Sequence, residues 1–280
     1  MIVLATCAAW PELSASDRCL AAALGARRAR VTWAPWNGPF APFATATAVV
    51  IRSTWDYHQA PEAYLGWLDR LDPRRTFNAP ALIRWNLSKA HVLDLARRGA
   101  RVPRSREAVA EPVAVADALD ALGVREGVIK PLVGASGFGV ERVTRETLAA
   151  DLARARAHKA LDRVLVQEFM PEIRDGELAG VFFESAFSHA LRRRAAAGEF
   201  RINSQYGGTM EATTVPGDTV EAMQAVLALL PEVPLYARVD GVVRDGAFVL
   251  MELEVNEPGL GLDLAPPSAE RFADALLRRL

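Results

Sequence analysis

The chain has 280 residues, 51% of them hydrophobic and 24% charged, and a formal net charge of −1. That length supports a large core and two or three subdomains, and the near-neutral balance argues against a nucleic-acid partner. The cysteines (Cys7, Cys19) and scattered histidines (His58, His91, His158, His189) argue against a disulfide framework or a zinc centre and fit a reducing cytoplasm. No apolar run reaches the roughly 18 residues a membrane span needs, so no membrane partner is expected. The opening Met-Ile-Val-Leu-Ala-Thr-Cys has no basic flank and reads as a first strand rather than a secretion signal.

Residues 1–85 read as an α/β unit, with strands over 1–5, 30–33 and 48–51 and helices over 17–25 and 61–71. The third strand runs straight into Arg52-Ser53-Thr54-Trp55-Asp56-Tyr57. Functional side chains in α/β sheets gather just past the carboxyl ends of strands. Arg52, Ser53 and Asp56 are therefore candidate substrate contacts, favoured over the aromatics. A helix cap with its aromatics in the core is the alternative.

Residues 86–165 read as a small α+β module. Asn86-Leu87-Ser88-Lys89 leads into a helix over 90–98 that stops at Gly99. A cation at a helix start opposes the helix dipole, so Lys89 serves either an anion or ordinary solvent. A helix over 116–122 and a strand over 127–131 follow, the strand ending in Lys130-Pro131. Gly134-Ala135-Ser136-Gly137-Phe138-Gly139 then turns the chain into a strand over 140–143. Glycines let backbone N–H groups approach phosphate oxygens, and Lys130 adds charge beside them; a plain flexible turn is the alternative. The segment matches neither G-x-G-x-x-G, G-x-S-x-G nor the Walker pattern. A charged amphipathic helix is expected over 147–161.

Residues 166–280 form the last module. A strand over 163–169 leads into it, ending Gln167-Glu168-Phe169-Met170. Strands over 177–183 and 187–191 pair and run into Arg192-Arg193-Arg194, followed by Arg201 and Asn203. The arginines suit either a solvated face or a carboxylate or phosphate ligand. After a helix over 219–230 come a strand over 235–243 holding Asp240, a tight turn at Arg244-Asp245-Gly246, a strand over 247–256, and a closing helix over 268–280. Alternation along the last strand puts Glu252, Glu254 and Asn256 on one face, and antiparallel pairing brings Asp240 beside Glu252 and Glu254. That face meets either water or a cation such as Mg²⁺, which takes oxygen ligands.

Taken in order, Asn-x-x-Lys, Ile-Lys-Pro before a glycine-rich hairpin, Val-Gln-Glu-Phe-Met, Gly-Glu, the arginine cluster with Arg-x-Asn, the strand Asp and Glu-x-Glu-x-Asn-x-Pro-Gly resemble the ATP-grasp ligases over residues 80–265. The pattern is similar to the glutathione synthetase and ribosomal S6 modification ligases. Arg-Ser-Thr-Trp-Asp-Tyr, Arg-Trp-Asn, Phe-Ser-His-Ala and Met-Glu-Leu-Glu bring it nearer the cycloserine-forming cyclo-ligases, which act on O-ureidoserine.

The resemblance implies an α+β ATP-grasp fold: an N-terminal α/β domain, a small lid subdomain and a C-terminal α+β subdomain. It implies ATP between the last two, with Lys89 and Lys130 on the phosphates and Gly134, Ser136, Gly137 and Gly139 closing over them. Gln167, Glu168, Phe169 and Met170 meet the adenine, and Glu177 the ribose. Arg193 faces the γ-phosphate, and Arg201 with Asn203 the phosphorylated intermediate, Arg201 also discriminating substrate. Asp240, Glu252 and Glu254 hold Mg²⁺, with Asn256 a further candidate, because counting back from Pro258 and counting by Glu-x-Asn select different pairs. The implied reaction is activation of a carboxylate as an acyl phosphate, followed by attack of an amine in the same or another molecule. The expected partner is an amino-acid-like small molecule, and relatives are commonly dimers or tetramers. Modification of a protein tail, or nucleotide binding without turnover, are the alternatives.

Overall fold

The computed structural model describes residues 1–158 and 161–280. The first unit alternates strands and helices: β1 (Ile2–Thr6), α1 (Ala15–Ala26), β2 (Val31–Pro35), α2 (Ala41–Ala44), β3 (Ala48–Ile51), α3 (Pro61–Leu68) and β4 (Thr76–Phe77). Its strands are nearly continuous apolar runs, as suits a parallel sheet covered on both faces, and they pair in parallel in the order β2-β1-β3-β4. Ser14 caps α1, its hydroxyl accepting from the Asp17 amide at 3.1 Å.

Helices α4 (Pro80–Leu87) and α5 (His91–Arg97) lead into the middle unit. There β5 (Ser105–Val109), α6 (Pro112–Leu122), β6 (Glu126–Pro131), β7 (Glu141–Thr144), α7 (Leu148–His158) and β8 (Arg163–Glu168) build an antiparallel sheet ordered β5-β8-β6-β7. Helix α6 stops at Gly123, whose φ of 64° suits the left-handed cap. The helix expected over 147–161 is present as α7; residues 159 and 160 lie outside the described residues, and Leu161 is not helical. Strand β8 belongs to this middle sheet, so the sheet runs to Glu168, past the boundary expected after residue 165.

The last unit holds β9 (Glu177–Phe183), β10 (Ala186–Arg194), β11 (Thr209–Thr213), α8 (Gly217–Leu227), β12 (Tyr236–Arg244), β13 (Ala247–Glu254) and α9 (Ser268–Arg278). Its antiparallel sheet runs β11-β10-β9-β12-β13. Asp245 and Gly246, at φ of 54° and 74°, make the tight turn between β12 and β13.

The cores do not follow chain order. Ile2, Leu4, Leu20 and Leu24 of the first unit share one buried cluster with Val181, Leu235, Tyr236, Phe272 and Leu276 of the last. Phe183 and Phe272 stack there at 4.6 Å, and burying each such large apolar side chain contributes about 1.5–3 kcal/mol. The middle unit has its own cluster, including Leu119, Ile129, Leu152 and Val166. Two asparagines tie the helical linker to the last sheet. Asn78 Nδ2 donates to the carbonyls of Tyr236 and Val255, and its Oδ1 accepts from the Leu235 amide. Asn86 Nδ2 donates to the Leu253 carbonyl, while its Oδ1 accepts from the Val255 amide.

Candidate active site

Strand β13 faces a cleft of about 510 Å³ between the middle and last sheets, roofed by the glycine-rich turn. Its alternation places Glu252 and Glu254 in the wall, and the register sets Asp240 opposite Glu252 and Arg238 opposite Glu254. These acids are matched with cations. Lys89 Nζ contacts Glu252. Arg238 donates to Glu254 at 2.6 Å and to both Asp240 oxygens at 2.8–3.0 Å. Arg193 Nη1 bridges Glu177 at 3.1 Å and Asp240 at 3.0 Å. Lys130 lines the same cleft and has no ion pair among the described residues.

The electrostatics follow from burial and these pairings. Burial opposes ionisation of Glu252, yet Lys89 and Lys130 outweigh it and hold its carboxyl well below the usual range. Burial lowers Lys130, with Glu252 acting against that; for Lys89, burial is overcome by Glu252 and the group is raised. Burial and the neighbouring Asp240 push Glu177 up to about 8. Burial, then Glu254, does the same to Glu257, also to about 8.

Two expected metal ligands sit differently from the sequence reading. Asp240 is 0% exposed and lies behind the cleft wall, both oxygens taken by Arg193 and Arg238. Asn256 lies beyond the end of β13, so the alternation that grouped it with Glu252 and Glu254 has ceased. Its Oδ1 accepts from the Tyr64 hydroxyl at 2.8 Å, toward the first unit. Asn256 still lines the cleft, and the backbone of Val255 beside it is held by Asn78 and Asn86.

Of the turn residues, Gly134, Ser136 and Gly137 line the cleft, whereas Gly139 packs on Pro131. Gly137 has a φ of 75°, and a Cβ there would sit 2.6 Å from Asn203 Oδ1, so both conformation and space demand glycine. Tyr206 reaches the same residue, its hydroxyl donating to the Gly137 carbonyl at 3.3 Å. Arg201 stacks over Tyr206 at 3.7 Å and donates to Glu199 at 2.7 Å. Arg201 and Asn203 thus approach the cleft from a loop that touches the glycine-rich turn. Gln167, Phe169, Met170 and Glu177 also line the cleft, while the Glu168 side chain turns out to Arg104 and Arg244.

The substrate contacts expected after β3 are not in the cleft wall. Arg52 is 1% exposed, its Nε donating to Asp17 at 2.9 Å and its Nη2 to the Pro258 carbonyl at 2.6 Å. Ser53 is fully buried and donates to the same carboxylate. Asp56 accepts from Trp36 at 2.6 Å and Asn37 at 2.9 Å. A buried guanidinium needs a buried counter-charge, and Asp17, far back in the chain, supplies it. The aromatics ranked below these residues, Trp55 and Tyr57, line the cleft instead, together with Trp10.

Comparison with known proteins agrees with this geometry. Residues 115–258 match the family described as prokaryotic glutathione synthetase, ATP-grasp domain, and residues 2–78 match D-cycloserine synthetase DcsG, N-terminal domain. The chain is 30% identical to the cycloserine biosynthesis protein DcsG of Streptomyces lavendulae, over 88% of this chain and 87% of that one. The chain belongs to the ATP-grasp ligases. The crystal structure of D-cycloserine synthetase DcsG superposes with a TM-score of 0.88 at 25% identity, covering 99% of each chain. The D-alanine–D-alanine ligase of Bacillus anthracis shares the fold, with a TM-score of 0.70 at 18% identity over 99% of this chain and 96% of that one. As an ATP-grasp ligase the protein is an ATP-dependent carboxylate–amine ligase that forms ADP and phosphate. No helix among the described residues is long and apolar enough to cross a membrane.

Sequence reading missed several cleft residues of this ligase. Arg238 is two positions before Asp240 on β12, and the alternation applied to β13 would have found it. His91 lines the cleft beside Lys89, and burial lowers its pKa to about 4. Glu257 gave no periodic signal, because it lies in the irregular segment after β13.

Proposed function

We propose that this ligase activates the carboxylate of an amino-acid-like small molecule, and that a nitrogen of the same molecule closes a ring. The carrying observation is the cleft itself, where Lys89, Lys130, Arg193 and Arg238 surround a strand of carboxylates under a glycine-rich roof. In the reaction a substrate carboxylate oxygen attacks the γ-phosphorus of ATP and ADP leaves. The nitrogen then attacks the acyl carbon and phosphate leaves. Two anions must meet in the first step, so the protein's task is positioning and charge compensation. Lys130, with no carboxylate partner of its own among the described residues, is the cation best placed for a phosphate. Arg193 is aimed by Glu177 and Asp240, and Arg201 by Glu199. The support for ring closure is the likeness over nearly the whole chain to a cycloserine biosynthesis protein.

The donor set fits Mg²⁺. Among the described residues no three His, Cys, Asp or Glu side chains form a ready-made metal cage. Mg²⁺ needs none, because it is held by one or two carboxylates plus substrate phosphates. Burial pushes Glu254 up, with Glu252 adding repulsion, so this wall has room for another positive charge. Glu252 and Glu254 are the residues that would hold the ion, with Asp240 fixing the arginines behind them and Asn256 turned to Tyr64. Bound there, Mg²⁺ neutralises charge on the phosphates. Gln167, Phe169 and Met170 form the nucleotide end of the proposed site, and Glu177 stands between them and Arg193. In the proposed division the catalytic parts fall on units 1–85, 86–165 and 166–280, the middle sheet extending to Glu168.

ADP and phosphate release from purified protein, ATP and Mg²⁺, with and without pooled amino acids and O-ureidoserine, tests this reading. Release that depends on the added molecule and vanishes with EDTA is expected. Release indifferent to every added carboxylate overturns the substrate assignment.

A further inference from the structure

Each cleft carboxylate named above has a cation of the protein as partner except one. Glu177 has Arg193, Glu252 has Lys89, and Glu254 has Arg238. Glu257 lines the cleft, is 8% exposed, and forms no ion pair or side-chain hydrogen bond to another residue among the described residues. Lys89, already paired with Glu252, acts on Glu257 only through longer-range attraction, so this buried carboxylate at the cleft wall has room for a cation of its own.

The backbone around Glu257 is held from three directions. Trp55 Nε1 donates to the Glu257 carbonyl at 2.9 Å, Arg52 Nη2 to the Pro258 carbonyl at 2.6 Å, and Arg238 Nη1 to the Gly259 carbonyl at 2.9 Å. Such anchoring is what a binding residue needs to be preorganised. Trp55 and Trp10, packed edge to face at 5.3 Å, also line this part of the cleft, and indole rings attract cations. The preceding residue, Asn256, is 2% exposed and has a buried Nδ2 with no acceptor among the described residues. The segment therefore offers an unmatched acceptor and an unmatched donor on neighbouring residues, the complement of an ammonium group close to a carboxylate or carbonyl.

We propose that Glu257 is a specificity residue of this ligase, its carboxylate receiving the protonated amino group of the molecule whose carboxylate is activated. The assignment rests on the ligase reading of the cleft and narrows its substrate class to ammonium-bearing carboxylic acids.

The test uses the full-length protein with ATP and Mg²⁺, reading ADP release. The probes are both enantiomers of alanine, serine and O-ureidoserine, each beside its desamino acid. Wild-type protein is expected to show a KM at least about 30-fold lower for the ammonium-bearing member of its best pair. In Glu257→Gln that KM rises by a similar factor, the KM for the desamino acid and for ATP stays within about twofold, and Glu257→Asp recovers part of the loss. Equal wild-type KM values within every pair overturn the inference while leaving the ligase reading intact. Unchanged discrimination in Glu257→Gln overturns it as well. ADP release with no member of any pair overturns the small-molecule substrate reading, and the inference with it. The wild-type comparison decides the matter even if Glu257→Gln fails to fold.

Discussion

Replacing Arg52 with methionine tests the reassignment of this residue from substrate contact to internal strut. The change removes the 2.9 Å pair to Asp17 and the 2.6 Å bond to the Pro258 carbonyl, and takes the guanidinium from its position 4.9 Å from the Tyr236 ring centre. It leaves the Asp17 carboxylate, 1% exposed, with the hydroxyls of Ser14 and Ser53 as its side-chain donors among the described residues. Breaking one side of a buried pair costs about 3–5 kcal/mol, and the orphaned carbonyl adds about 1 kcal/mol or more. Asp17→Asn leaves the opposite charge unpaired and costs a similar amount. The double variant Asp17→Asn/Arg52→Met buries no unpaired charge, so its loss is expected to be about 1–3 kcal/mol, well below the sum of the single losses. Urea unfolding followed by tryptophan fluorescence and far-ultraviolet circular dichroism gives the three values. A double loss equal to the sum of the singles within about 0.5 kcal/mol refutes the coupling. Unchanged stability in Arg52→Met, with a raised KM for the carboxylate substrate alone, would return Arg52 to the substrate site.

Glu252→Gln and Glu254→Gln are each expected to cut ADP release by at least about 100-fold at saturating Mg²⁺ while the melting profile persists; full activity in both removes them from the metal site. His91 is held below the usual histidine value, at about 4, by burial. The unfolded chain therefore binds the extra proton first as pH falls, so the stabilising contribution is complete above the ordinary value near 6.5 and is lost as pH falls from there toward 4. Unfolding free energies of the apo protein between pH 7 and 4 should fall less in His91→Gln than in wild type, and parallel curves would dismiss the effect. Gly137→Ala forces a Cβ against Asn203 at a positive φ, and is expected to lower kcat about tenfold or more with a melting temperature within a few degrees of wild type; unchanged turnover would show that the turn tolerates the shift.

What could be read from the chain depended on how local its cause was. Alternation along β13 correctly grouped Glu252 with Glu254, because consecutive strand residues decide that by themselves. The strand stops two residues short of Asn256, which still lines the cleft but gives its Oδ1 to the Tyr64 hydroxyl, a partner far back in the sequence. The carboxyl end of β3 did deliver cleft residues, but Trp55 and Tyr57 rather than Arg52 and Ser53. Which of them turned inward was decided by Asp17, and no spacing within 52–57 reports a counter-charge on another helix. Pairings such as Lys89 with Glu252 are equally long-range, and no spacing in the sequence announces them.

The shared cluster joining Leu4 and Leu24 to Val181 and Phe272, and the private one around Ile129 and Leu152, divide the protein into a single base and a separate cap. Asn78 and Asn86 rivet that base together by bonding backbone of the last sheet from the linker. Prying the first unit from the last would expose one common interior, whereas the cap closes its own core and meets the first unit through Val133 and Ala135 of the glycine-rich turn. Trp55 Nε1 donates to the Glu257 carbonyl within that base, so the spacing of these two cleft residues does not depend on the cap.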